Sequence, residues 1–184
     1  MVEDLERVFF SEEEIAEKVK EAGIWLDERY KDAKDMPLAI GVLKGSVIFM
    51  CDIIRAMKTP VELDFMTVSS YGNGTESTGR LKIKNDLTTD VKGRDVLLIE
   101  DIVDTGYTLE SLTELIMGRG AKSFTTVTLF DKPSRRKVNV KADYSCFEVG
   151  DEFIVGYGLD YAQKYRNLPC VGVLKREIYE HKPE

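Results

Sequence analysis

Val96-Leu97-Leu98-Ile99-Glu100-Asp101-Ile102-Val103-Asp104-Thr105-Gly106-Tyr107-Thr108-Leu109 decides the fold. With Asp95 in front, the run Asp95–Ile99 is almost entirely apolar, the pattern of a strand covered on both faces. Acids follow at Glu100 and Asp101, with a third at Asp104. Thr105-Gly106 then opens a helix expected over Thr108–Met117. In an open parallel sheet the ligand crevice lies beyond the carboxyl ends of the strands, so chemistry is expected just after Ile99. A glycine-bearing turn entering a helix offers free backbone amides and the positive end of the helix dipole, which together hold a phosphate. Thr105 and Thr108 can add hydroxyl donors. Glu100 and Asp101 would repel a phosphate laid on them; they suit ribose hydroxyls or a magnesium ion, which takes hard oxygen ligands. Two acids at a strand end, or one Thr-Gly turn, would be ordinary surface features alone. Their combination behind a buried strand favours the phosphate site.

Outward from this stretch the chain alternates strands and helices. Ser11 and Glu14 have the spacing of a capping box, and Ile15, Val19, Ala22, Leu26 and Tyr30 recur at helical spacing behind them. Leu38–Leu43 reads as a buried strand, Lys44-Gly45-Ser46 as a turn and Val47–Met57 as a helix. Val61–Thr67 alternates apolar and polar residues as a strand does. Ser69–Gly79 has no core-forming side chain except Tyr71 and reads as a mobile loop. Further strands are expected at Leu81–Asn85, Ser123–Leu129, Tyr144–Phe147, Phe153–Val155 and Cys170–Val173. The succession implies an α/β fold: an open, mostly parallel, twisted sheet flanked by helices. No repeat or Pro/Gly/Ser-rich linker divides the chain, so one domain over 1–184 is expected.

Composition narrows the function classes. The 184 residues suffice for one core, with 43% hydrophobic and 32% charged residues and a net charge of -7. That acidity argues against a nucleic-acid grip, which needs clustered Lys and Arg; the basic runs Lys132–Lys137 and Lys164–Arg166 are short. An acidic N-terminus and an apolar region broken by Lys44 and Asp52 argue against a secretory leader and a membrane span. Cys51, Cys146 and Cys170 have no metal or redox spacing and are expected as buried free thiols in the cytoplasm. Gly72-Asn73-Gly74 and Gly41–Ser46 lack the context of nucleotide fingerprints. The single histidine, His181, lies in the tail and is not expected to be catalytic.

Val96–Leu109 resembles the phosphoribosyl pyrophosphate signature of type I phosphoribosyltransferases, and the chain is similar, over nearly its whole length, to the hypoxanthine(-guanine) members of that family. Leu43-Lys44-Gly45 resembles the pyrophosphate loop and Ser69-Ser70-Tyr71-Gly72 the flexible lid. Asp131-Lys132-Pro133-Ser134-Arg135-Arg136 resembles the segment with the base-reading lysine. Phe153–Tyr161 followed by Arg166 resembles the base-stacking and metal segment. Two positions depart: Tyr107 stands where some members carry Lys, and Val149-Gly150 where Ile-Pro is expected.

The resemblance implies a small hood region beside the sheet, a lid over 69–79 with Ser70 and Tyr71, and a purine salvage enzyme. It would move the 5-phosphoribosyl group from phosphoribosyl pyrophosphate to hypoxanthine, and to guanine as well, with Mg2+ as cofactor. Asp104, Thr105, Gly106, Tyr107 and Thr108 would hold the 5-phosphate; Glu100 and Asp101 the ribose hydroxyls and magnesium; Asp160 a second magnesium, directly or through water. Lys44, Gly45 and Arg166 would face pyrophosphate, and a cis peptide is implied before Lys44. Ile102 and Phe153 would sandwich the purine, Lys132 would donate to its 6-oxo group, and Ile154 and Asp160 would read its far edge. Asp104 would be the general base. A cytoplasmic homodimer or homotetramer is implied, with neither nucleic acid nor membrane as partner. The competing readings are the same fold acting on xanthine or guanine alone, an RNA-binding regulator of this fold, and a ligand-binding module without catalysis. Asp104 and the acidic balance oppose the regulator; Lys132 and the lid sequence oppose the passive module.

Overall fold

The computed structural model describes residues 1–70 and 81–180. The chain enters through β1 (Leu5–Phe10) and α1 (Glu12–Tyr30). Ser11 caps α1 reciprocally: Glu14 N donates to Ser11 Oγ at 3.2 Å, and Ser11 N donates to Glu14 Oε2 at 2.7 Å. Such a cap contributes about 0.5–2 kcal/mol. The five apolar positions at helical spacing, Ile15 to Tyr30, are all buried. Ile15, Val19 and Leu26 each contribute on the order of 1.5–3 kcal/mol when removed from water.

β2 (Leu38–Leu43), α2 (Val47–Ala56), β3 (Glu62–Ser70), β4 (Leu81–Asn85), β5 (Asp95–Val103), α3 (Tyr107–Gly118), β6 (Ser123–Asp131) and β7 (Tyr144–Glu148) follow. They form a six-stranded sheet in the order β4-β3-β2-β5-β6-β7. All neighbours are parallel except β3 and β4. A parallel interior needs cover on both faces, and the alternation along β5 supplies it. Leu97 and Ile99 pack with Val127, Leu129 and the buried stripes of α1 and α2. Val96 and Leu98 pack with Leu38, Ile40 and the α3 residues Leu109, Leu112 and Ile116.

A second, three-stranded sheet runs β1-β9-β8, with β8 at Ile154–Val155 and β9 at Val171–Leu174, before the short α4 (Arg176–Tyr179). Its core holds Leu5, Val155, Tyr165, Leu168 and Leu174. This is the hood, and it includes an N-terminal strand that the sequence pattern does not announce. Leu5–Phe10 has no strict alternation; it is a strand because β9 pairs with it antiparallel, with two register irregularities.

Three expectations are corrected. β5 does not stop at Ile99 but runs to Val103, because its ladder with β6 continues through Ile102↔Phe130 and Val103↔Asp131. Glu100 and Asp101 therefore sit inside the strand. Ser69 and Ser70 belong to β3, paired with Lys82 and Leu81, and not to the loop; Tyr71 and the remainder of the expected lid lie outside the described residues, as does His181. Of the cysteines only Cys146 is buried; Cys51 is exposed on α2 and Cys170 is partly exposed, though all three are free.

Candidate active site

The turn expected to hold phosphate forms where β5 passes into α3. Gly106 is the N-cap of α3 with φ 91°, a left-handed conformation that side chains rarely adopt. A Cβ there would also lie 2.7 Å from Val140 Cγ2 and 2.9 Å from Arg136 Cδ. Among the described residues no side chain caps α3, which leaves its first-turn amides open to a ligand. Thr105, Tyr107 and Thr108 surround that end. Arg136 straps the turn from behind: NH1 donates to the Asp104 carbonyl at 2.8 Å, and NH2 pairs with buried Asp131. Lys137 N donates to the Thr105 carbonyl at 2.9 Å.

Glu100 is buried and Asp101 half-buried, next to one another. Burial pushes the Glu100 carboxyl well above the usual carboxylate range, and the neighbouring Asp101 adds to the effect. Burial likewise pushes Asp101 up to about 6. Asp101 Oδ1 accepts the Ile102 amide at 2.8 Å, but among the described residues neither acid has a cationic side chain in salt-bridge contact.

The Leu43–Lys44 peptide is cis, as the resemblance implies. Gly45 allows this turn to approach the acids: a Cβ on it would fall on the Asp101 carboxylate and 2.6 Å from its Cγ. On the other side, a Cβ on Gly158 would strike the Gly45 carbonyl. Lys44 Nζ donates to Gln163 Oε1 at 3.3 Å. Arg166 NH1 donates to the Gly158 carbonyl at 2.8 Å, and NH2 pairs with Asp160 Oδ1 at 2.6 Å. Asp160 Oδ2 accepts the Gln163 amide at 2.9 Å. Both Asp160 oxygens are thus engaged, which favours a water-mediated contact with any metal over a direct one.

Beside the acids lies a cavity of about 360 Å³, lined by Asp101, Ile102, Asp104, Lys132, Phe153, Ile154 and Asp160 together with Arg135, Asp151, Glu152 and Leu159. Lys132, at the end of β6, is buried, and burial lowers its pKa; its Nζ donates to the Glu152 carbonyl at 2.7 Å. Phe153 is 37% exposed and stacks on Tyr179 at 4.6 Å with the rings 18° apart.

Three strand ends and the hood thus bring the expected phosphate, pyrophosphate and base residues together. Sequence reasoning gave no role to Arg135, Arg136, Asp131, Gln163 or Tyr179, which hold those residues in place. The only signal for the two arginines was the basic run Lys132–Lys137, and it does not reveal which carboxylates they meet.

A family model described as "Phosphoribosyl transferase domain" matches residues 10–162. The chain is 58% identical over 180 residues to a hypoxanthine-guanine phosphoribosyltransferase of Bacillus subtilis, covering 98% of this chain and 99% of that protein. It is 54% identical to a bifunctional protein TilS/HprT of Listeria monocytogenes, covering 97% of this chain and 27% of the longer protein. A crystal structure of a hypoxanthine phosphoribosyltransferase from Staphylococcus aureus superposes with a TM-score of 0.94 at 48% identity, covering 98% of this chain and 97% of that one.

Proposed function

The chain belongs to the phosphoribosyltransferase family, and from that premise we propose that it is a purine salvage enzyme acting on hypoxanthine and guanine. It transfers the 5-phosphoribosyl group from phosphoribosyl pyrophosphate and releases pyrophosphate. The observation that carries this reading is the shared cavity: Asp104, next to the α3 phosphate turn, and Lys132, at the end of β6, line the same space.

In the reaction the bond between the sugar C1 and pyrophosphate oxygen breaks, and its electron pair leaves with pyrophosphate. A purine ring nitrogen forms the new bond to C1. Asp104 accepts the proton lost from the other nitrogen of the five-membered ring; a positioned base of this kind contributes about 10²–10⁴-fold. The amides of the α3 first turn, with Thr105 and Thr108, hold the 5-phosphate. Lys44, the Gly45 amide and Arg166 receive the pyrophosphate. Lys132 gives up the Glu152 carbonyl to donate to the purine 6-oxo group. Adenine presents an amino donor at that position, and two donors cannot pair. Ile102 and Phe153 enclose the ring, with backbone at Ile154 and Asp160 at its far edge.

The donor set fits a magnesium ion. Glu100 and Asp101 are adjacent carboxyls without a paired cation among the described residues, and burial opposes their charge. Among the described residues no cluster of three or more His, Cys, Asp or Glu side chains is suited to a metal; magnesium commonly takes one or two carboxylates and completes its shell with substrate oxygens and water. Glu100 and Asp101 would hold it with the ribose hydroxyls, and Asp160 a second ion through water. Bound there, magnesium would neutralise charge on the departing pyrophosphate.

The described residues contain no helix long and apolar enough to cross a membrane. We place the enzyme in the cytosol as a single domain over 1–184, the three free thiols supporting a reducing setting. We also propose a homodimer or homotetramer, since Leu63 and Phe65 lie exposed on β3 where a second copy would cover them.

The test is Asp104→Asn. The variant should bind phosphoribosyl pyrophosphate as the wild type does while kcat with hypoxanthine falls by about 10²–10⁴-fold. Wild-type turnover in this variant would remove Asp104 as the base.

A further inference from the structure

Arg135 ends the 3-10 turn Pro133–Arg135, which follows β6 directly after Lys132. Its guanidinium spans two carboxylates from different segments. Nε donates to Asp104 Oδ1 at 2.7 Å, and NH1 donates to Asp151 Oδ1 at 2.6 Å. Asp104 belongs to the phosphate turn after β5, Asp151 to the loop that leads to Phe153 and β8, and both line the base cavity. Arg135 therefore joins the phosphate side of the site to the lip of the base pocket.

The geometry points to Arg135 as a positioning residue of the transfer reaction: it holds the Asp104 carboxylate through Oδ1, leaves Oδ2 for the purine proton, and fastens the Phe153 loop through Asp151. This inference rests on Asp104 being the base. Three observations support it. The Asp104 side chain is 40% exposed, so nothing in its packing fixes the plane of the carboxylate, and among the described residues Oδ2 accepts no hydrogen bond. Asp151 follows Gly150, a residue that leaves the backbone free, and the Arg135 bond tethers the loop at that point. A guanidinium is a rigid planar fork that holds two acceptors in fixed directions, whereas the three rotatable donors of an ammonium impose no such plane. Solvent-exposed ion pairs of this kind contribute little to global stability, so the effect of Arg135 belongs in the kinetics.

Steady-state assays with hypoxanthine, phosphoribosyl pyrophosphate and magnesium on the wild type, R135Q, R135K, D151N, R135Q/D151N and D104N test it, with melting temperatures measured alongside. R135Q should lower kcat about tenfold, a partial loss beside the roughly 10²-fold that a 1 Å misplacement of a reacting group can cost. It should raise KM for hypoxanthine about threefold and leave KM for phosphoribosyl pyrophosphate within about twofold, in keeping with a weak exposed pair. R135K should fall between R135Q and the wild type. D151N should raise the hypoxanthine KM about threefold alone and add nothing on top of R135Q, the mark of a shared interaction. If R135Q keeps both kcat and hypoxanthine KM within twofold of wild type while D104N is inactive, Arg135 has no positioning role and the functional reading stands. Equal rises in both KM values with a lower melting temperature would make Arg135 structural and also overturn the inference. A wild type inactive with every purine would defeat the functional reading and this inference together.

Discussion

Asp101→Asn should make the metal-free protein more stable at neutral pH and less able to work. Burial pushes the Asp101 carboxyl from the ordinary 3.8 up to about 6, so the folded state holds a proton that the unfolded chain releases. Below pH 3.8 both states are protonated and the site costs nothing; between 3.8 and about 6 the unfolded chain releases the proton that the folded state keeps, so stability falls with pH and levels off above about 6, where the folded state carries the buried charge. At about 1.36 kcal/mol per pH unit the full cost is on the order of 3 kcal/mol, an upper bound because Asp101 keeps some solvent contact. By the same linkage the cost is about 0.5 kcal/mol at pH 4. Asparagine removes the charge and retains an oxygen to accept the Ile102 amide, now 2.8 Å from Asp101 Oδ1. Urea unfolding with a chelator present, at pH 4 and pH 8, checks this. The variant should gain about 2–3 kcal/mol over wild type at pH 8 and only about 0.5 kcal/mol at pH 4. Magnesium with phosphoribosyl pyrophosphate should stabilise the wild type more than the variant, since ligand binding adds to folding free energy. A variant less stable than wild type at pH 8, or a gap independent of pH, would refute the claim that Asp101 is held charged at a cost for use as a ligand.

Other substitutions probe neighbouring parts of the site. Lys132→Gln removes the charged donor proposed for the 6-oxo group, worth about 1.5–3 kcal/mol; kcat/KM for hypoxanthine should fall about 10–100-fold in initial-rate assays, while the ratio of adenine to hypoxanthine use rises. Gly45→Ala places a methyl group on the Asp101 carboxylate, an overpacking that costs about 1–3 kcal/mol; KM for phosphoribosyl pyrophosphate should rise at least about fivefold, with the hypoxanthine KM much less affected. Tyr157→Phe deletes the hydroxyl that donates to Asp52 Oδ2 at 2.6 Å and ties the hood to α2; the melting temperature should fall by about 2–4 °C for the loss of about 1 kcal/mol.

Much of the fold was legible because its signals are local. The α1 capping box and stripe, the apolar β2 and β5 and the Thr-Gly entry to α3 each carry their pattern within a dozen residues. The misreadings arose where distant partners decide the outcome. β1 is a strand because β9, more than 160 residues later in the chain, pairs with it. β5 runs through Glu100 and Asp101 because β6 continues its ladder, although two acids in sequence look like a strand end.

The site divides in the same way. Asp104, Lys132 and Glu100-Asp101 stand out as residue types in order along the chain. The supports do not: that Arg135 bridges Asp104 and Asp151, or that Arg136 ties Asp131 to the Asp104 carbonyl, depends on three loops meeting in space. Gly45 shows the limit most clearly. As a sequence symbol it marks a turn; in the structure it is the clearance that lets the turn after β2 lie against Asp101.

The central claim, a 6-oxopurine cavity joined to a ribose phosphate site, is tested most directly by offering hypoxanthine, guanine, xanthine and adenine separately. Each would be incubated with the wild-type protein, phosphoribosyl pyrophosphate and magnesium, and nucleotide formation followed by chromatography. The account predicts stoichiometric pyrophosphate and nucleotide from hypoxanthine and guanine, with adenine lower by at least about 10²-fold, as expected when two donors face one another in a closed site. Adenine used as well as hypoxanthine, or no nucleotide from any base, would contradict it.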